Sequence, residues 1–99
     1  MKFEVYGKPG CAKCMSTKAK LQHLLHKADA EASIPMAFVD VDTIEGMAEG
    51  AFYDVTEIPT VILRSDAGEA LARWDGQVPP SVEVQAHLGS RQRAGAVAS

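Results

Sequence analysis

A long helical segment stands between two short strands, and this arrangement restricts the topology more than any other feature of the sequence. Residues 2–6 alternate in the manner of a strand, and residues 34–41 form an apolar run typical of a buried strand. Between them, over about 11–29, apolar side chains recur at intervals of three, four and seven, as on one face of a helix. A helix in this position predicts that the two strands are parallel and joined by a right-handed crossover.

Patterns in the second half of the sequence predict the remaining strands and helices. Residues 57–64 form another strand pattern, and the turn signal at Asp66–Gly68 predicts an antiparallel return strand over 69–75. Shorter helices are expected from about Thr43 to 52 and from about Ser81 to 88. The order β-α-β-α-β-β-α predicts an α/β domain with a mixed four-stranded sheet and helices on both faces. The large aromatic side chains expected to fill the core or cover the sheet are Phe3, Phe38, Phe52 and Trp74.

Length and composition restrict the classes of protein. The chain has 99 residues, of which 46% are hydrophobic, as expected for one globular domain over 1–89 with a flexible tail at 90–99. A net charge of −3 does not indicate the basic surface that nucleic-acid-binding proteins use. No stretch approaches the roughly 18 apolar residues of a membrane span, and the first residues lack the features of a signal peptide. We therefore expect a cytoplasmic monomer that binds neither nucleic acid nor membrane.

The only two cysteines form the segment Gly10-Cys11-Ala12-Lys13-Cys14, which follows the first strand and opens the first helix. A C-x-x-C pair in this context is typical of a redox site, because residues three apart on a helix can close one disulfide. Unpaired backbone N–H groups at the helix start favour a thiolate at Cys11. Cys14 shares the apolar helix face and should be less exposed and less ionised. The pattern predicts that Cys11 attacks a substrate disulfide and that Cys14 resolves the mixed disulfide.

Positive charge is concentrated around this motif. The first 27 residues contain one acid, Glu4, and six lysines, namely Lys2, Lys8, Lys13, Lys18, Lys20 and Lys27. The lysines can form a solvated helix face, or those near Cys11 can stabilise its thiolate or attract an acidic partner. In the second interpretation, Gly10, Lys13 and Lys8 adjust the pKa of Cys11 and so the stability of its thiolate.

The dithiol motif between a strand and a helix, followed by Ile58-Pro59-Thr60 at the start of a later strand, resembles the thioredoxin-fold family over about 2–88. The resemblance implies a cis Ile58–Pro59 bond that faces the dithiol, with the Ile58 backbone pairing with an extended substrate segment beside Cys11. It implies a thiol–disulfide oxidoreductase that reduces disulfide-containing proteins and is recycled by a reductase. The redox-active disulfide itself would then be the only redox group.

The chain combines features of two branches of this family. Its first strand leads directly to the dithiol, as in glutaredoxins, and the Trp-Cys-Gly-Pro-Cys signature of thioredoxins is absent. Val5 stands where thioredoxins keep a buried acid, and Lys13 stands where glutaredoxins have an aromatic residue. If glutathione is used, Lys8 and Thr60 would contact it. Tyr6, close to the active loop, is expected in the substrate groove.

Two other functions remain open at this point. The cysteines can hold a metal ion or an iron–sulfur cluster, although a four-ligand zinc site needs two more ligands. His23 and His26 lie more than two turns along the predicted helix, so no metal site within one chain is expected, whereas a site shared by two chains stays open. A non-catalytic adaptor that binds partners near Pro59 is the other alternative.

Overall fold

The computed structural model describes residues 1–98, with side chains described for residues 1–89. The elements follow the predicted order, as β1 (Lys2–Gly7), α1 (Ala12–Lys27), β2 (Met36–Asp40), α2 (Ile44–Phe52), β3 (Thr60–Arg64), β4 (Ala70–Asp75) and α3 (Ser81–Ala98). Among the described residues, no helix combines the length and the apolar character needed to cross a bilayer.

The four strands form one mixed sheet in the order β2-β1-β3-β4. β1 is parallel to β2 and antiparallel to β3, and β3 is antiparallel to β4, as the sequence predicts. Tyr6 pairs with Thr60 across β1 and β3. The end of β1, which leads to the dithiol, and the start of β3, which follows Pro59, therefore lie at the same end of the sheet.

The main core lies between the sheet and the pair α1 and α3. Along the strands, apolar side chains at every second position face these helices, as expected for a strand with one covered face. The buried members are Phe3, Val5, Leu21, Leu24, Leu25, Ala30, Ile34, Val61, Leu63, Trp74, Val84 and Leu88. The Trp74 indole N–H is satisfied by Glu83 Oε1 at 2.8 Å, which also ties β4 to α3.

The opposite face of the sheet carries a buried ion pair. Glu4 on β1 and Arg64 on β3 are each 7% exposed, and the Arg64 Nε donates to the Glu4 carboxylate. Arg64 also donates to the Gly68 carbonyl at 3.1 Å and stacks over the Tyr53 ring at 3.9 Å. Burial and the Glu4 charge raise the pKa of the neighbouring Tyr6 hydroxyl to about 12. This cluster joins β1, β3 and the end of α2 on one face.

α2 packs on that face through glycine. The Thr43 hydroxyl caps the helix by accepting the Gly46 N–H at 2.9 Å. Gly46 and Gly50 are buried, and a Cβ at Gly46 would lie 1.8 Å from the carbonyl oxygen of Asp40. Although glycine weakens a helix interior, only glycine lets α2 approach the end of β2 this closely.

Several boundaries and burial classes differ from the sequence predictions. The strand expected at 34–41 is present as Met36–Asp40, but the expectation that it is buried is wrong, because β2 is an edge strand with no fully buried position. α3 continues past the end expected near Leu88, since 91–94 are good helix formers. Phe52, expected to fill the core or cover the sheet, is 78% exposed. The predicted flexibility of 90–99 lies outside the residues whose side chains are described.

The glycine contact of α2 gives a matched pair of variants. Gly46→Ala should destabilise the protein by about 3 kcal/mol or more, because the new methyl group meets main chain that cannot move aside. Gly50→Ala should be neutral or stabilising by up to about 1 kcal/mol, because its Cβ would meet only Val55 Cβ, at 3.7 Å. Urea unfolding measures both values. Equal effects in the two variants would contradict the proposed contact.

Candidate active site

Cys11 occupies the N-cap position of α1. Its backbone is extended, with φ −93° and ψ 110°, and its Sγ accepts the Cys14 N–H at 3.1 Å. The Cys11 N–H in turn donates to the Lys8 carbonyl at 3.1 Å, so the loop from β1 closes in a tight turn before the helix. One of the helix's unpaired N–H groups thus points at sulfur, which favours the anionic form.

The two thiols have opposite electrostatic environments. Hydrogen bonding from the Cys14 thiol lowers the pKa of Cys11 most, and partial desolvation of the sulfur opposes this. The N–H groups of Cys14 and Lys13 and the charge of Lys8 lower the pKa further, so the net direction is downward. Burial raises the pKa of Cys14, and its hydrogen bond to Cys11 raises it again. Cys11 is half-buried and Cys14 is fully buried, and both are free thiols in this structure. The pair therefore contains one accessible sulfur that favours the thiolate and one enclosed sulfur that favours the thiol.

Gly7 forms the floor beneath Cys14. A Cβ at Gly7 would lie 2.7 Å from Cys14 Sγ, so a side chain there would displace the thiol. Val5, two residues earlier on the same face of β1, belongs to the apolar core. The Glu4 carboxylate is on the other face, bound to Arg64. Among residues 1–89, therefore, no carboxylate of the core lies under the dithiol to take the proton of Cys14.

The Ile58–Pro59 segment lies at the same end of the sheet. Its peptide bond is cis, which confirms what the family resemblance implies. The β1–β3 register ends at the pair of Tyr6 and Thr60, so Pro59 immediately precedes the paired strand at the end where β1 leads to the dithiol. The backbone N–H and C=O of Ile58 make no hydrogen bond within the described part of the chain. These two groups remain free to pair with an added extended segment.

A chain of two hydrogen bonds ties this segment to the dithiol motif. The Gly76 N–H donates to the Pro59 carbonyl at 2.8 Å, and the Lys13 ammonium donates to the Gly76 carbonyl at 2.8 Å. Gly76 has a φ of 67°, a left-handed conformation that favours glycine. Lys13, which directly precedes Cys14, is therefore bound to the turn after β4.

The structure changes the roles expected of Lys8, Lys13 and Gly10 in stabilising the Cys11 thiolate. Lys8 is near enough to act on Cys11 and also pairs with Asp42, with Nζ 3.7 Å from Oδ1. Lys13 acts on Cys11 through its N–H, whereas its ammonium binds Gly76. A Cβ at Gly10 would meet nothing within 4 Å, so space does not require glycine there.

Two predicted substrate contacts are wrong. The Tyr6 side chain is fully buried, and its hydroxyl donates to Glu4 at 3.4 Å on the face away from Cys14. Thr60 is also fully buried, and its hydroxyl donates to the Glu57 carbonyl at 2.7 Å. Strand alternation explains Tyr6, because its neighbours Val5 and Gly7 face α1. The Thr60 hydroxyl is likewise unavailable to glutathione in this structure.

Sequence reasoning missed Gly7 and Gly76. Gly7 ends a strand directly before the loop, and Gly76 follows the last strand, so both resemble ordinary turn glycines. Their contacts with Cys14 and Pro59 depend on how the sheet brings distant segments together. Within the described residues, no three His, Cys, Asp or Glu side chains group closely enough to hold a metal ion.

Comparison with solved structures finds known proteins of similar architecture. Thioredoxin 1 of Thermosipho africanus TCF52B superposes with a TM-score of 0.66 at 21% identity, over 99% of this chain and 98% of its own. A malaria parasite thioredoxin-2 superposes with a TM-score of 0.72 at 21% identity, over 90% and 81%. The chain has the thioredoxin fold. Fasciola hepatica thioredoxin, at 22% identity and a TM-score of 0.67 over 90% and 78%, shares this thioredoxin fold. No family model and no curated protein matches the sequence.

The electrostatic account of Cys11 is tested by changing its neighbour. Cys14→Ala removes the thiol donor and should raise the pKa of Cys11, whereas Cys14→Ser keeps a donor and should raise it less. The pH dependence of iodoacetamide alkylation of Cys11 measures both values. Alkylation profiles in both variants identical to that of the wild type would show that the side chain at position 14 does not stabilise the thiolate.

The floor under Cys14 gives a second matched pair. Gly7→Ala should cost about 1–3 kcal/mol of stability, because its methyl group overlaps the Cys14 sulfur. It should also slow the closing of the Cys11–Cys14 disulfide. Gly10→Ala adds a methyl group in open space and should change neither quantity. Unfolding curves and the rate of disulfide closure by a small oxidant report the two effects, and an unperturbed Gly7→Ala protein would contradict the close contact.

Proposed function

We propose that the protein is a thiol–disulfide oxidoreductase that reduces disulfides by dithiol exchange. The observation that carries this proposal is the asymmetric pair at the start of α1. The Cys11 sulfur accepts a backbone N–H at the surface, while Cys14 is enclosed one turn deeper. This arrangement separates a nucleophile from a resolving thiol.

The first step is attack by the Cys11 thiolate on one sulfur of the substrate disulfide. The bond between the substrate sulfurs breaks, a Cys11–substrate bond forms, and the other substrate sulfur leaves as a thiolate. The Cys14 thiol, the N–H groups of Cys14 and Lys13 and the charge of Lys8 lower the pKa of Cys11, which increases the fraction of thiolate available for this attack.

In the second step Cys14 loses its proton to the released thiolate or to water and attacks Cys11. The Cys11–substrate bond breaks, the Cys11–Cys14 disulfide forms, and the substrate leaves with two thiols. Two electrons have then passed from the dithiol to the substrate. The leaving group in this step is the substrate sulfur, so a substrate thiol of low pKa is released faster. Since no core carboxylate lies nearby, the step should accelerate as pH approaches the raised pKa of Cys14.

The geometry beside the dithiol supports the substrate class that we propose. The free backbone groups of Ile58 suit an extended protein segment that adds to the sheet edge next to Cys11. The oxidised protein then requires a reductant, for which we propose a dedicated reductase, with glutathione as the alternative. A reducing compartment such as the cytoplasm suits this direction of electron flow.

Substitution of each cysteine tests the proposed roles. Cys11→Ser should abolish the acceleration of insulin disulfide reduction over the rate with dithiothreitol alone, because the nucleophile is lost. Mixed with insulin in the absence of dithiothreitol, Cys14→Ser should keep the attack but accumulate a covalent adduct, visible by mass spectrometry, because no second thiol releases the substrate. Full turnover by Cys14→Ser on protein disulfides would contradict the assignment of roles.

The alternatives predict different outcomes in the same preparation. A cofactor-holding module shared between two chains would contain stoichiometric zinc or iron when reduced and would be larger than one chain. A non-catalytic adaptor would keep both thiols unreactive to alkylation at neutral pH. Elemental analysis, sedimentation and alkylation of one sample separate all three functions.

A further inference from the structure

α2 carries an apolar face that is directed away from the protein. At about 100° per residue, the positions 44, 47, 48, 51 and 52 fall within an arc of about 140° of the helix. The large side chains on that arc are Ile44, Met47 and Phe52, which are 83%, 58% and 78% exposed. We call these three residues, with Ala48 and Ala51, the α2 face.

The orientation of the α2 face is dictated by glycine on the other side of the helix. Gly46 and Gly50 are the buried positions of α2, and the Asp40 main chain leaves no room for a side chain at Gly46. An ordinary amphipathic helix would bury its apolar side against the sheet. In α2 the large apolar residues lie outside, where a monomer leaves them in water, and a cluster of this kind marks an interaction surface.

Acidic side chains border the α2 face. Glu45 and Glu49, one turn apart, follow one flank of the helix, and Asp42 lies just before its N-terminus. All three are exposed. Two copies that met through this face would bring their glutamates together, at a cost in repulsion. The charge therefore favours a different protein, with an apolar surface bordered by lysine or arginine.

The α2 face begins next to the dithiol. Asp42 forms an ion pair with Lys8, whose charge acts on Cys11, and the Thr43 hydroxyl donates to the Asp40 carbonyl at 2.8 Å. β2 is parallel to β1, so the start of α2 and the start of α1 lie at the same end of the sheet. From Ile44 the nine-residue helix extends about 13 Å. A partner bound along it would keep a disulfide within reach of Cys11.

We propose that the α2 face is the docking surface for proteins that exchange thiols with Cys11, and that it selects partners with an apolar patch bordered by basic residues. This inference rests on the proposed function and specifies its partners. The face would supply affinity and selectivity, while the dithiol supplies the chemistry.

The test uses chemically defined probes on the Cys14→Ser protein, in which attack by Cys11 is observed alone. Two amphipathic helical peptides share one leucine face and carry a cysteine activated with 2-nitro-5-thiobenzoate, and they differ only in lysine or glutamate borders. A third probe is the activated cysteine amide alone. Release of the thiobenzoate anion gives the rate constant of attack for each probe.

The lysine-bordered peptide should react at least about tenfold faster than the glutamate-bordered one at low salt, with the advantage falling as salt is added. The triple variant Ile44→Ser, Met47→Ser, Phe52→Ser should lose the advantage of the peptide over the cysteine amide, and Glu45→Lys with Glu49→Lys should reverse the charge preference. Val82→Ser removes a side chain that is 73% exposed on α3, across the sheet from α2, and should change nothing.

Equal rates for both peptides, or faster attack on the glutamate-bordered one, would overturn the proposed docking surface and point to the lysines around Cys11 as the determinant. An unchanged peptide advantage in the triple variant would overturn it too. These results leave the cysteine amide reactive, so the proposed function survives them. If Cys11 attacks none of the probes, the proposed function fails and the docking proposal with it.

Discussion

The site depends on the turn at the start of α1, in which the sulfur of Cys11 accepts the backbone N–H of Cys14 and a hydrogen bond from the Cys14 thiol. A helix must leave its first N–H groups without partners inside the helix, and here sulfur occupies the position that an aspartate or serine oxygen usually takes. The same turn places Cys14 toward the core, over Gly7. One local geometry therefore both stabilises a thiolate and holds its resolving partner three residues away.

The sheet brings segments that are distant in sequence to the dithiol, which the helix alone cannot do. The antiparallel register of β1 and β3 brings Pro59 to the end of the strand that leads to the dithiol. The bonds from Gly76 to Pro59 and from Lys13 to Gly76 then join three segments that are distant in sequence. A substrate segment would thus meet Cys11 and the free Ile58 backbone on one surface.

The two faces of the sheet are built differently. α1 and α3 cover one face with an apolar core, whereas α2 approaches the other face through glycine, over a buried Glu4–Arg64 pair. Removing one partner of such a pair leaves an unpaired buried charge, which is why the pair constrains the β1–β3 register strongly. The packing also directs the large apolar side chains of α2 outward.

Much of this architecture could be predicted from the sequence. The period of the apolar residues gave the element order, and the long helix after residues 2–6 gave the parallel β1–β2 pair, because both are local patterns. The position of Cys11 at the helix start was equally visible. The edge position of β2 was not, since the order of strands depends on long-range pairing.

Side-chain direction was the other source of error. Tyr6 and Thr60 are near the site in sequence, yet each points into the protein. Gly46 looked like a weakness in a helix, because its contact with Asp40 exists only after folding. The same contact explains why Phe52, an aromatic expected in the core, is exposed.

The most direct measurement of the central claim is an NMR titration of the reduced wild-type protein with ¹³C-labelled cysteine, which follows both Cβ signals in one sample. Because the two thiols interact, the curves report the pair, and their order of ionisation is the informative result. We predict that Cys11 ionises first, with its pKa below that of an ordinary thiol, and that the pKa of Cys14 lies above that of an ordinary thiol. Ionisation of Cys14 before Cys11, or of both together near the ordinary value, would contradict the account.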